Sequence, residues 1–448
     1  MTQQVLRRVA QLSIAVVACS APVSASFAQN LVDSYRLALE SDPKYRAAMY
    51  STLAARTSTD QAMAGFLPDA RLDFDSSKTH QRIISSENPI FGAGVTEFPT
   101  KVRTFTITQP IFRREAIDRY AQSKAVVKQA NFTLLAASQD LILRTASAYL
   151  LVLAASDAVE FAAAEREAVG RALELAQERL KMGLGTITAR HEATARLALS
   201  KAREIESRNK LSDATQGLRE IIGQMPVSMQ TLRADFPLLT PDPPDVEQWV
   251  AQARQQNLSL QARAAAVEVA QGDIDRQKAA HYPSLNLVLS QNRRDAGSTL
   301  FGGGSNVDTR EVAFRLNVPI YSGGLISAVT KEAVFKYQKA QEESEQESRA
   351  LDRQTRAAFD GSISGAGLVQ ALAQSVAAQQ AALDGKESGL KAGINTMLPV
   401  LDAQRDLFAA KRDFAQARYE YLINRLKLEQ AAGSLSETHL QAVSAALQ

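Results

Sequence analysis

The sequence predicts a mixed α+β membrane protein with an internal duplication. Long antiparallel α-helical coiled coils carry four β-strands per chain, too few for one chain to close into a barrel. Three observations predict this. The chain repeats itself: Gly65, Pro68, Leu72 and Phe74 return as Ala280, Pro283, Leu287 and Leu289. Thr106, Pro110 and Phe112 return as Arg315, Pro319 and Tyr321, and Leu180, Gly183 and Thr186 as Leu390, Gly393 and Thr396. The shared offset of about 210 residues is far longer than a solenoid repeat. Second, the region from Arg113 to Met182 contains no proline and a single glycine, Gly170. Third, each half carries two segments of alternating apolar and polar residues.

Composition agrees. Only 6% of the 448 residues are aromatic, which favours alanine- and leucine-rich helices over a thick globular core. Lys and Arg number 51 against 48 Asp and Glu, and no basic cluster interleaves with aromatics, which excludes a nucleic-acid partner.

The elements follow in order. Arg7 and Arg8, the apolar run Val9 to Ala18, and the small residues around Ser26 and Ala28 read as an export signal over 1–28, with the mature chain starting near Gln29. The sole cysteine, Cys19, preceded by Val16, Val17 and Ala18, also fits a lipoprotein acylation site, and that alternative stays open. No later apolar run is read as long enough to span a bilayer. A helix is expected from Leu31 to Ala64, its counterpart from Val246 to Ala280, each ending before a proline-started strand. In the strands, Ala70, Leu72 and Phe74 oppose Arg71, Asp73 and Asp75, while Phe105, Ile107 and Ile111 oppose Thr104, Thr106 and Thr108. Leu285, Leu287 and Leu289 oppose Asn286 and Ser290; Phe314, Leu316 and Val318 oppose Arg315 and Asn317. Such strands of about nine to ten residues suit one face in lipid or core and one in water. The segments 85–100 and 292–308, rich in Gly and Pro, read as loops.

A helix from Arg113 to Met182 would be on the order of 100 Å long. Leu134, Leu141, Ala148 and Ala155 recur every seventh residue, and Ala137 and Leu151 fit a second seam in which Arg144 is the exception, as in a coiled coil. A turn at Met182 to Gly185 leads into a helix from Thr186 to Ile222. The second half repeats this with Leu325 to Lys391, a turn at Gly393 to Asn395, and Val400 to Ala432; Gly361, Gly365 and Gly367 suggest a bend. The chain therefore divides into the signal 1–28, a first repeat 29–235, a second repeat 236–435 and a tail 436–448.

Four strands leave sheet edges whose backbone groups lack partners in hydrocarbon, so chains must pool their strands into one barrel. The strand-to-strand loops then lie on one side of the membrane and the long helices project from the other.

At this point the sequence resembles a known family. Gly393, Asn395, Thr396, Leu401, Asp402, Arg405, Asp406 and Leu407, followed by Arg418, Tyr419, Tyr421, Asn424 and Gly433, make the chain similar to the TolC-like outer-membrane channels of Gram-negative export systems, nearest the type I secretion branch. The resemblance implies a homotrimer in outer-membrane lipid, a twelve-stranded barrel and a helical tunnel into the periplasm. It implies a periplasmic adaptor and an inner-membrane ABC transporter or proton-driven pump as partners. The residues themselves show no Ser-His-Asp set, paired acid/base carboxylates or nucleophile elbow, so neither catalysis nor a cofactor is expected. The tip turns, Gly183, Gly185 and Thr186 with Gly393, Asn395 and Thr396, are the implied adaptor-docking elements. A periplasmic adaptor with long helical hairpins is the rival reading.

The resemblance also implies a constriction of acidic residues at the tips. Asp402 falls on one such position, but Pro399, Asn395 and Ala189 occupy three others that carry charge in the family. At the common offset Glu192 corresponds to Asp402, and Arg196 to Asp406. Three chains would thus bring six carboxylates to one circumference, a cation-binding ring. The bland alternative pairs Glu192 with Arg196 one helical turn away. His80, His191, His281 and His439 lack metal-ligand spacing. Phe236 and Trp249, beside a proline-rich stretch joining the halves, read as an external belt, and Tyr419 and Tyr421 as packing residues.

Overall fold

The computed structural model describes residues 30–85, 94–233, 235–298 and 303–447. The expected export signal and Cys19 lie outside them. The first half comprises α1 (Leu31–Ser41), α2 (Pro43–Ala64), β1 (Asp69–Ile83), β2 (Gly94–Arg113), α3 (Arg114–Lys181) and α4 (Ile187–Ile222). The second comprises α5 (Val246–Gln256), α6 (Leu258–Lys278), a 3-10 turn (Ala279–His281), β3 (Ser284–Ala296), β4 (Ser305–Asn317), α7 (Leu325–Lys391) and α8 (Met397–Ala431). A final α9 (Glu437–Ser444) follows.

Both expected single opening helices are broken, at equivalent places. Asp42 precedes Pro43 and so takes extended backbone (φ −64°, ψ 118°); its Oδ1 then accepts from the Tyr45 amide at 2.6 Å, capping α2. Asn257 adopts nearly the same geometry (φ −62°, ψ 124°) without a proline, and its Oδ1 accepts from the Leu260 amide at 3.0 Å. Both caps are buried. Arg144 grips the Asp42 carboxylate with two nitrogens at 2.9 and 3.1 Å, whereas the Asn257 amide donates to the Ala431 carbonyl at 3.1 Å. Arg144, the seam exception, is therefore a clamp on this joint, and it also donates to Asp140 at 2.7 Å.

The strands form one antiparallel sheet in the order β1-β2-β3-β4, with the halves joined through β2 and β3 and the outer edges of β1 and β4 open. They are longer than expected, at 15, 20, 13 and 13 residues. Residues 94–100 and 292–296 and 305–308 are strand, not loop. Pro99 is tolerated because β3 pairs with β2 only from Thr100 onward, so beyond it β1 and β2 form a two-stranded ribbon with a free side. Pro110 sits where the β2–β3 register shifts, another position that needs no ladder donor.

Helix α3, 68 residues, packs against α2, α4, α6 and α8, and this accounts for its alanine-rich faces. Its main core runs through Leu141, Ile142, Tyr149, Leu150 and Leu153 with Tyr421 and Leu426 of α8. The seven-residue seam holds at fully buried Leu141 but not at Leu151, which is 57% exposed. Contrary to the expectation from sequence, α3 does contain an 18-residue window apolar enough to cross a membrane, with mean hydropathy 1.4. Of that window 39% is buried, against the helices on which α3 packs. Helix α7 is continuous through the three glycines expected to bend it. Gly365 and Gly361 instead let α8 approach closely, at Tyr421 and Asn424. Helix α9 docks on α1 with Leu440 fully buried, so the expected tail is folded.

Candidate functional site

Each long hairpin turns by the same physics. At the end of α3 the Leu184 amide donates to the Arg179 carbonyl at 2.8 Å and the Gly183 amide to Leu180 at 3.1 Å, with Gly183 at φ +74°. At the end of α7, Ile394 donates to Gly389 at 2.8 Å and Gly393 to Leu390 at 3.2 Å, with Gly393 at φ +76°. Both are Schellman turns, which require the left-handed conformation that glycine adopts without steric penalty. Thr186 then caps α4 by accepting from the Ala189 amide at 3.1 Å. Thr396 makes no such bond, and Asn395 donates to the Lys386 carbonyl at 3.3 Å. Leu184 and Ile394, 71% and 81% exposed, project from the two turns.

Behind the turns the hairpins pack through Val169, Ala172, Ala176 and Ala193 against Leu390, Val400, Leu401 and Leu407. Charge links them as well. Arg196 Nη2 lies 2.6 Å from Asp402 Oδ1, joining α4 of one hairpin to α8 of the other. Arg405, which the sequence marked as part of the resembling stretch but gave no role among the tip charges, lies 2.8 Å from Asp406 and 3.5 Å from Asp402. The hydrogen-bonded Asp406 carboxylate holds the Arg405 guanidinium above its usual pKa. Asp402, Asp406 and Arg196 are thus brought together, with two arginines balancing two carboxylates. Glu192 stands outside this group: Arg196 turns to Asp402, so the alternative one-turn pairing of Glu192 with Arg196 does not form. Repeat spacing could not show this, because it relates Arg196 to Asp406 rather than to its contact.

Further along the bundle, buried Glu165 of α3 accepts from Arg203 of α4 at 2.9 Å and from Arg412 of α8 at 3.0 Å. One carboxylate there ties three helices and both hairpins. Tyr419 donates to Asp157 at 2.8 Å, and burial raises the pKa of both. The Tyr421 hydroxyl accepts from the Leu239 amide at 2.8 Å and donates to its carbonyl at 2.7 Å, fastening the connecting segment to α8. Arg418 lies over the rings of Phe236 and Phe414, at 5.3 and 5.5 Å. These tyrosines serve packing.

At the other end, one face of the sheet is apolar and exposed. Leu72, Phe74, Val312, Phe314 and Leu316 are 58–71% exposed. Because directly opposed residues share a face, the register assigns Phe105 to the face of Leu72, and Leu289 to that of Ile107. Thr106, Ser290 and Glu311 line the other face with Arg71. An apolar outer face, a polar inner face and two open edges define the membrane sheet of a channel subunit.

Comparison with known proteins names the class. The family model for outer membrane efflux proteins matches residues 34–224 and again 249–434, and the chain belongs to that family. It is 31% identical over 428 residues to the outer membrane protein TolC of Vibrio cholerae, covering 95% of each chain. It is 28% identical to the proteases secretion protein PrtF of Dickeya chrysanthemi, over 98% of this chain and 95% of the relative. The Campylobacter jejuni CmeC outer membrane channel shares the fold, with a TM-score of 0.78 at 15% identity over 94% of this chain and 90% of that one. The chain is an outer-membrane channel protein of the efflux and secretion type.

Proposed function

We propose that three copies of this chain form the exit duct of a tripartite export system serving type I protein secretion, drug efflux or both. The observation that carries the reading is the four-stranded sheet with an apolar face and two open edges. In lipid those edges must pair with other copies, and three copies supply twelve strands. The long hairpins then continue the duct into the periplasm. A periplasmic adaptor and an inner-membrane ABC transporter or proton-driven pump supply the energy. Similarity to the proteases secretion protein PrtF favours polypeptide cargo, and the membrane sheet argues against the adaptor alternative.

The turns at Gly183, Gly185 and Thr186 and at Gly393, Asn395 and Thr396 receive the adaptor. Arg196 and Asp402 clasp the two hairpins of each chain at rest. Opening separates them and leaves Asp402, with Glu192, to face the lumen as an acidic ring, while Asp406 stays with Arg405. Planar-bilayer conductance of the purified protein tests both levels. Asp402→Ala and Glu192→Ala should lower cation preference and divalent block. If neither does, the ring is abandoned while the duct stands; absence of any conductance removes the duct.

A further inference from the structure

On the apolar face of the sheet, the register places Phe74, Arg103, Arg293 and Asp308 in one row across all four strands. One row nearer the strand-to-strand loops, Lys101 lies opposite Asp295; one row nearer the helices, Arg310 lies opposite Gln291. Four exposed cations therefore gather at the loop end of the band formed by Leu72, Phe105, Leu289, Val312 and Phe314. Arg103 and Arg293 are directly opposed, an arrangement that destabilises a ladder unless an anion lies between them. The ion pairs of the strands run elsewhere, Arg71 to Asp69 and Lys78 to Glu97, and among the described residues none of these four cations forms one. Two carboxylates are nearby: Asp308 accepts both its bonds from Gln291 at 3.2 Å, and Asp295 sits across from Lys101. Among the described residues Arg293 has the Asn306 side-chain oxygen alone, at 3.4 Å.

We propose that Lys101, Arg103, Arg293 and Arg310 form a site for the phosphate groups of an anionic lipid headgroup in the outer leaflet. The chemistry fits on three counts. Guanidinium forks match phosphate oxygens in bidentate geometry. The patch overlaps the loop-side end of the lipid-facing apolar side chains, at the depth of headgroups, so acyl chains lie along Phe74, Phe105 and Val312. A phosphate between Arg103 and Arg293 removes their mutual repulsion. The assignment rests on the sheet facing lipid in the assembled duct.

Full-length protein in bilayer discs, probed by native mass spectrometry with a diphosphorylated glycolipid, its dephosphorylated form and inorganic phosphate, tests the site. Wild type should retain the diphosphorylated glycolipid and not the dephosphorylated one. Arg103→Gln with Arg293→Gln should weaken retention about thirtyfold, roughly fivefold for each cation at an anionic surface. Arg71→Gln with Arg315→Gln, on the opposite face, should leave it unchanged, and Arg103→Lys with Arg293→Lys should keep most of it. Carbon–phosphorus recoupling between labelled guanidinium groups and the headgroup, read on wild type, covers the case in which the glutamine variant fails to fold. Unaltered retention in that variant, equal loss in the opposite-face control, competition by inorganic phosphate as effective as by the glycolipid, or absent recoupling would each overturn the site. Conductance of the same preparations separates the two levels: a conducting channel without headgroup preference overturns the patch alone, and a protein that never inserts overturns both.

Discussion

Replacing Arg196 by glutamine should shift the tip towards its open state by a calculable amount. The Arg196–Asp402 pair is short, at 2.6 Å, but its side chains are 28% and 36% exposed, so solvent screens much of the attraction. A net contribution of about 1 kcal/mol per pair is expected at such exposure. If three chains open together, the lost pairs sum to about 3 kcal/mol, on the order of a hundredfold in the open-to-closed ratio. Arg196 is the better target because Asp402 keeps Arg405 at 3.5 Å when it is lost, so no carboxylate is stranded. The assay is single-channel open probability in planar bilayers, at low and high salt, for Arg196→Gln, Asp402→Asn and the double variant. The double variant should resemble the singles, and salt should erode the wild-type advantage. Single effects that simply add, or an open probability unmoved by Arg196→Gln, would refute the clasp.

Glu165→Ala, which strands Arg203 and Arg412, should cost about 3 kcal/mol, read as earlier thermal loss of the oligomer band on gels. Gly433→Ala should do comparable harm, since a Cβ there would collide with the Gln256 carbonyl oxygen, at φ +78°; its measure is depletion from outer-membrane fractions. Burial raises the Asp42 pKa, but bonds from Arg144 and the Tyr45 amide more than offset this and leave it lowered. Its contribution is therefore complete above the ordinary carboxylate pKa and is lost as pH falls through the lower folded value, so Asp42→Asn should flatten the acid limb of a melting profile. Because the sole cysteine is Cys19, paired cysteines introduced on the β1 and β4 edges should crosslink neighbouring chains into trimers; crosslinks confined to single chains would contradict the shared barrel.

The sequence made most of this architecture legible because two periodicities survive in it undiluted. Alternation marked the strands and proline-free length marked α3 and α7, whose second boundary pair, Leu325 and Lys391, matches the structure. Strand ends were less visible: ribbon residues such as Thr96 and Phe98 pair with β1 without clean alternation, and Pro99 looked like loop. The break at Asn257 carries no proline and depends on a contact with Ala431, far away in sequence. Tip charges divided along the same line. Asp402 was recognisable by position, whereas its partner Arg196 and neighbour Arg405 are set by how two hairpins pack, and internal repeats carry no record of that.

The two buried joints of the opening helices have diverged in kind. One holds an ionised carboxylate under a guanidinium; its twin achieves the same angle with a neutral amide. In a ring of three chains the six quasi-equivalent joints would therefore alternate, and only every second one could sense protons. Acid would relax three spokes and leave the intervening three rigid, so a collar that looks sixfold in outline would yield with threefold symmetry.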